Sequence, residues 1–374
     1  MPFHPADRLV FTPDDVDLAR SPLAGQFDDE TFVLGAFNPA LTRLPNGNLL
    51  MMVRIAEALR DPIRDGLIRS IRWSNGRFAL DAWLLDAVDT KDPRAFVIRH
   101  HRWRTLGLTS ISWLLPVELA PDGLSVVAVH YERAIAPAAD HQCCGIEDPR
   151  ISLVNGRYYM TTCTVSPERQ STTLFTSSDG LAWKDEGLVL DHQNKDMLIF
   201  EGLIDGLFWA LTRPLGDCYF TYAPDSPWLP GPSINLAHSP DALFWKPVTA
   251  PCIRPRAGSP ASARMGGGAP PILTDAGWLV LWHGVEPIGL VGIYRTYWAI
   301  LAAENPHQVL YRSDPDPILS PAPELTDPLA HQMYLHDVVF TTGLVVGAGV
   351  YIVASGEADL ACRITHIAKS SFEI

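Results

Sequence analysis

The chain reads as an all-β protein, a five-bladed β-propeller, on three observations. Short strands follow turn residues through its whole length, no long amphipathic helix interrupts them, and one tryptophan-ended motif returns. The turn-and-strand units come in order. Pro45-Asn46-Gly47 precedes Leu49 to Val53, Asp122-Gly123 precedes Leu124 to Tyr131, and Asn155-Gly156 precedes Tyr158 to Thr162. Asp205-Gly206 then leads into Leu207 to Thr212, Ala276-Gly277 into Trp278 to His283, and Gly349 into Val350 to Ala354. Each joins residues that tolerate a tight turn to the alternating or continuous apolar run of a packed strand. The returning motif is Ser178-Asp179-Gly180-Leu181-Ala182-Trp183-Lys184, seen again as Pro240-Asp241-Ala242-Leu243-Phe244-Trp245-Lys246, with a weaker echo from Trp73 to Phe78. About four short strands per such period fill the 374 residues as five blades, one domain over 1–374 in which residues 1–26 form an N-terminal arm. The tryptophans are expected to pack between blades.

Composition narrows the function. Thirty-two prolines and 27 glycines are spread over the whole chain, so they punctuate short elements and do not make a linker. The formal net charge of −13 argues against nucleic acid, which is bound mainly through basic patches. No apolar run approaches the roughly 20 residues of a membrane span, and Met1 to Val10 lacks the apolar core of a signal peptide, so a cytoplasmic location is expected. Six cysteines, two of them adjacent at Cys143 and Cys144, follow neither a metal-ligand spacing nor a disulfide framework. No metal and no organic cofactor is expected. Gly266-Gly267-Gly268 is not a phosphate loop, because Ala269-Pro270-Pro271 follows where a helix would have to start. His100, His101, Arg102 and Arg104 form a basic cluster read as a solvated loop.

The most informative stretch is Gly145-Ile146-Glu147-Asp148-Pro149-Arg150, two carboxylates and a guanidinium at the mouth of the hairpin that turns at Asn155-Gly156. A carboxyl beside an arginine at the start of a tight β unit suits a pocket acid; the other reading is a turn salt bridge. A propeller brings the ends of its inner strands to one channel, and the polar residues there are Asn38, Arg54, Asp148, Arg150, Lys195, Asp196, Arg213, His283, Asp337 and Asp359. Such a ring of charges and hydrogen-bonding groups suits a polyhydroxylated ligand.

Gly145 to Arg150 with its hairpin resembles the signature of glycoside hydrolase family 130, the β-mannoside phosphorylases and β-1,2-mannosidases. The likeness continues through Asn194-Lys195-Asp196, Arg213-Pro214, Gly267 to Pro271, Trp282-His283-Gly284, Glu304-Asn305-Pro306, Pro317 to Leu319, Val338 to Phe340, and Gly356 with Asp359. The resemblance implies a five-bladed propeller that cleaves β-mannosides with inversion, with Asp148 as general acid acting through a sugar hydroxyl, by hydrolysis or by phosphorolysis to mannose 1-phosphate. It implies that Asn38, Arg54, Glu147, Arg150, Arg213 and Asp359 bind substrate. In a phosphorylase, Arg169, Lys195 and His283 would hold inorganic phosphate as co-substrate. The departures concern the nucleophile. Asp185 and Glu186 stand near where an arginine of the phosphate clamp is expected, and a carboxylate there would repel the anion. Glu201 is displaced by one residue from the usual glutamate, and Asp337 stands where an asparagine is common, so either could activate water. These departures place hydrolysis or another glycosyl transfer ahead of phosphorolysis. The expected partner is an oligosaccharide, and the segment up to Gln26 is a candidate interface arm for a homo-oligomer. The alternatives are a five-bladed glycosidase acting on arabinosides or fructosides, and a non-catalytic carbohydrate-binding propeller.

Overall fold

The computed structural model describes residues 6–99, 104–216, 218–248, 252–289 and 291–374. His100, His101 and Arg102 of the basic cluster lie outside them. The fold is all-β: strands dominate, and the helical segments are single turns. No helix among the described residues is long and apolar enough to cross a membrane.

Five antiparallel sheets follow one another along the chain. In the first, Thr31–Arg43 is an edge, followed by Leu49–Leu59, Ser110–Leu119 and Val126–Val129. The second runs Ile146–Val154, Arg157–Val165, Gln170–Ser177, Lys184–Leu190, and the third Asn194–Ile204, Leu207–Pro214, Asn235–Ser239, Lys246–Pro247. The fourth runs Arg264–Gly267, Gly277–Glu286, Ile293–Leu301, Val309–Arg312, with Ile272–Thr274 also pairing with Gly277–Glu286. The fifth holds Val339–Val346, Val350–Glu357 and Ala361–Ala368, and its outer strand is Ala6–Phe11, so part of the expected N-terminal arm pairs with the C-terminal end of the chain.

The edge strands pack in sequence. Thr31–Arg43 lies against Ile146–Val154 and Val339–Val346, Ile146–Val154 against Asn194–Ile204, and Asn194–Ile204 against Arg264–Gly267. The core is distributed between sheets. One cluster joins Ala40, Leu50 and Met52 of the first sheet to Ile151, Met160 and Phe175 of the second, with Trp183 packed on it. The next joins Leu174 to Met197 and Ile199, with Trp245 packed on it.

The repeated motif has one physical cause. The Oδ1 of Asp179 accepts the N–H groups of Leu181 and Ala182 at 2.8 Å and the hydroxyl of Ser177 at 2.9 Å. The Oδ1 of Asp241 does the same for Leu243, Phe244 and Ser239 at 2.9, 3.0 and 3.1 Å. The side chain replaces the backbone acceptors that the turn lacks, which aims each tryptophan at the neighbouring sheet.

Candidate active site

The edge strands of the first three sheets each break register beside the same cavity. Pairing shifts between Phe37 and Ala40, between Glu147 and Arg150, and between Lys195 and Leu198. Inside these bulges Asn38, Asp148 and Asp196 adopt φ of 49°, 49° and 51°. Left-handed backbone costs free energy in a residue with a Cβ, and asparagine and aspartate tolerate it best. The bulge turns one polar side chain per sheet toward a shared cavity. Gly145 to Arg150 is thus not a charged mouth ahead of a hairpin; Glu147 to Arg150 lie within the strand Ile146–Val154, and the bulge presents Asp148.

The cavity has a volume of about 410 Å3. Asp148 is buried, and its Oδ1 accepts Asn38 Nδ2 at 2.9 Å and Arg54 Nη1 at 2.8 Å. The second arm of Arg54, Nη2, meets Glu147 Oε1 at 2.9 Å, its Nε donates to Ser112 Oγ at 2.9 Å, and Lys195 Nζ lies 3.1 Å from Glu147 Oε2. Glu147 therefore joins two cations, which fixes both against the floor of the cavity. Burial by itself pushes the Asp148 carboxyl up. Arg54, Lys195, Arg150 and the Asn38 hydrogen bond outweigh it and hold the group well below the usual carboxylate range. Asp359, with φ of 50°, lines the same cavity, and there burial outweighs Arg94 and Arg54, so its carboxyl is raised.

A second cluster lies under the third and fourth sheets. Asp196 Oδ1 accepts a hydrogen bond from Arg150 Nη2 at 3.1 Å, its Oδ2 forms an ion pair with Arg213, whose Nε lies 3.0 Å away, and His283 Nε2 lies 3.7 Å from Oδ2. Burial raises the Asp196 carboxyl, but Arg213, Arg150 and His283 bring it below its ordinary value. Burial pushes His283 down to about 3, Arg213, Arg150 and Arg264 adding to this against Asp196, so its imidazole is neutral. Its Nε2 lies 3.3 Å from Arg213 Nη1. The glycine run explains how these groups fit: a side chain on Gly266 would run into Asp196 and His283, and one on Gly267 into Leu198.

Of the residues read from the sequence, Asn38, Arg54, Glu147, Asp148, Lys195, Asp196, Arg213 and Asp359 all line the cavity. Arg150 sits beneath it, donating from Nη1 to the Asp148 carbonyl at 2.8 Å and from Nε to the Gly268 carbonyl at 3.3 Å. His283, expected at the phosphate, is fully buried and backs Arg213 without reaching the cavity wall. Arg169 is half-buried and is not part of the wall, although Gln170 beside it is. The two expected bases are also off the wall. Glu201 lies at the far end of the strand Asn194–Ile204, its Oε1 accepting Leu153 N–H at 3.1 Å, and burial raises its carboxyl to about 7. Asp337 is exposed at φ 59°, and its carbonyl accepts Tyr294 N–H. Asp185 and Glu186, expected to repel phosphate, instead bond to Gln142, Gly187, Thr176 and Lys184 away from the cavity.

Among the cavity residues that sequence reasoning missed, five are cationic or carry aromatic hydroxyls. Arg94, Arg104 and Arg264 bring charge, and Tyr294 and Tyr334 bring rings and hydroxyls. Arg264 lies over the Tyr294 ring at 5.7 Å and donates to the Val291 carbonyl at 2.7 Å. Asn-Pro at Asn38-Pro39 and Asp-Pro at Asp148-Pro149 did carry the signal of the bulges. No comparable local signal marks Arg94 or Arg264. Among the described residues no group of carboxylates, histidines and cysteines could hold a metal ion.

The sequence profile of a family described as beta-1,4-mannooligosaccharide phosphorylase matches residues 111–372. The chain is 29% identical over 338 residues to a beta-1,2-mannobiose phosphorylase of Listeria innocua, covering 87% of each chain. It is 30% identical over 247 residues to a 1,2-beta-oligomannan phosphorylase of Thermoanaerobacter sp., covering 64% of this chain and 74% of that one. The solved structure of the Listeria innocua phosphorylase bound to beta-1,2-mannobiose superposes with a TM-score of 0.79 at 26% identity, over 98% of this chain and 97% of that one. The match of profile, sequence and fold over most of the chain makes this protein a member of glycoside hydrolase family 130, a carbohydrate-active enzyme of the β-mannoside-cleaving class.

Proposed function

We propose that the chain is an inverting β-mannoside phosphorylase, converting a short β-1,2-linked mannoside and inorganic phosphate into mannose 1-phosphate and the shortened sugar. One observation carries this reading. The wall of the cavity formed by the third and fourth sheets presents Lys195, Arg213 and Arg264, and the acid beside them, Asp196, is already bound to Arg150 and Arg213. A carboxylate so paired is a poor base for water, whereas three cations suit a phosphate. The similarity to mannobiose and oligomannan phosphorylases supports the same choice, and the β-1,2 linkage rests on it.

In this reading Asn38, Arg54, Glu147, Arg150 and Asp359 hold or position the mannosyl unit, and a phosphate oxygen attacks its anomeric carbon from the cationic side. The glycosidic bond breaks on the opposite face, and the departing oxygen takes a proton from Asp148 through a sugar hydroxyl. Asp148 is ionised in the free protein, because its cationic neighbours favour the charged form. A phosphate seated at Lys195 offsets that charge and raises the Asp148 pKa, so the acid is loaded with its proton only when the nucleophile is present. We read the five sheets as five blades of one unit over residues 1–374. The edge strands packed in series and the pairing of Ala6–Phe11 with the last sheet support it.

The test is product analysis with β-1,2-mannobiose. Mannose 1-phosphate formed only when phosphate is added is the expected result. Free mannose formed equally without phosphate overturns the reading in favour of hydrolysis.

A further inference from the structure

Between two neighbouring strands of the first sheet, Leu49–Leu59 and Ser110–Leu119, the chain leaves for residues 60–109 and builds two small antiparallel sheets. They are Ile63–Arg64, Leu67–Ser74 and Arg77–Leu84, then Val88–Asp92, Ala95–Ile98 and Thr105–Leu108. The corresponding links between second and third strands are shorter, 166–169 in the second sheet, 215–234 in the third and 358–360 in the fifth. This excursion precedes the stretch that the family profile matches. It has its own apolar centre in Ile68, Val88 and Phe96, and Gly107 lies so close over the Phe96 ring that a side chain there would run into it. The second of its sheets is thus a fixed surface, and it gives Asp92, Arg94, Ala95, Arg104, Leu106 and Leu108 to the cavity.

Arg94 is built into that wall. Its Nε and Nη2 meet Asp92 at 3.0 and 2.9 Å, and Nη1 lies 3.8 Å from Asp359 Oδ2, across from the fifth sheet. The packing order of the sheets sets the excursion opposite Lys195, Arg213 and Arg264. The first sheet adjoins the second and the fifth, and the cations belong to the third and fourth. Inverting displacement puts the entering and leaving oxygens on opposite faces of the anomeric carbon. With the nucleophile on the cationic side, the leaving sugar faces the excursion.

We infer that this second small sheet is the subsite for the leaving sugar, a neutral saccharide of one or two units. Arg94 donates to its hydroxyls, and Leu106 and Leu108 cover the apolar face of its ring. The inference rests on the phosphorylase reading for the direction of attack. It assigns acceptor selection to a segment that the family's conserved profile does not include.

The experiment runs the reaction backward, with mannose 1-phosphate as donor and mannose as acceptor, on wild type and Arg94→Ala. The expected result is an acceptor KM raised by about tenfold or more, as for loss of hydrogen bonds to a charged group. The KM for mannose 1-phosphate should move by less than about twofold. Equal rises in both, or an unchanged acceptor KM, overturn the inference. Calorimetric binding separates it from the reading it rests on. If wild type makes no disaccharide, the phosphorylase reading fails. The subsite then stands if Arg94→Ala weakens binding of β-1,2-mannobiose by about tenfold or more, and falls if that binding is unchanged. Thermal midpoints of the two proteins confirm that the variant folds.

Discussion

Asp148 and Asp196 occupy the same bulge in neighbouring sheets, with nearly the same φ, yet they are prepared for different work. Asp148 shares Arg54 with Glu147 and keeps one face toward the cavity. Asp196 is enclosed by Arg150, Arg213 and His283, each buried at 8% exposure or less. The backbone device repeats, and the counter-charges around it differ. An acid must give up a proton at one step and so needs a field that substrate can alter. A carboxylate between two buried guanidiniums is locked as an anion, and it holds Arg213 in position beside the cavity.

The comparison can be tested from the largest effect downward. Asp148→Asn is expected to lower turnover of a β-mannoside by about 10²–10⁴-fold, the range for loss of a general acid, with saccharide binding retained in calorimetry. Turnover equal to wild type would remove Asp148 from the chemistry. Asp196→Asn acts on stability. It leaves Arg150 and Arg213 buried without their counter-ion, which costs about 3–5 kcal/mol, read as a lower midpoint in urea. An unchanged midpoint would mean that the cluster is not a structural anchor.

Glu201 sharpens the contrast, because it lies on the same strand as Asp196 and has no cation among the causes of its shift. Burial raises it from 4.5 to about 7. A raised folded-state value means that the folded protein binds the proton more tightly than the unfolded chain. Stability is therefore full below about pH 4.5, falls as pH rises toward 7, and levels off above it. The whole drop is at most about 3 kcal/mol. Glu201→Gln should flatten the slope of thermal midpoint against pH in that window and leave kcat unchanged; a retained slope would assign it to another group. The smallest effect is expected at Arg264→Ala. Losing one charge-assisted contact of about 1.5–3 kcal/mol raises the KM for phosphate roughly 10–100-fold with little change in the KM for mannoside. Equal changes in both would place phosphate elsewhere.

The part of the site most legible in the sequence was made of adjacent residues, while Asn38, Arg54, Arg213 and Asp359 were reached only as polar residues near strand ends and through the family likeness. Glu147-Asp148-Pro149-Arg150 and Lys195-Asp196 announce themselves because their charges are neighbours in the chain, and both lie within edge strands. The misread residues fail for one reason each. His283 stands at a matching position, but its side chain is sealed behind Arg213. Glu201 belongs to the right strand at its wrong end. Asp185 and Glu186 look like neighbours of the anion and are bound on the outer strand of their sheet.

The sequence by itself determined the order of strands and turns, the Asp179 and Asp241 turns with their tryptophans, and the residues by which the family is known. Those features depend on local conformational preference and on alternation, which act over a few residues. Only the tertiary structure decided which carboxylates share the cavity and in which direction each is shifted. Arg54 meets Asp148, and Arg94 approaches Asp359, across long stretches of chain. The interaction of two charges depends on their separation in space and on their burial, and neither is written in their separation along the chain.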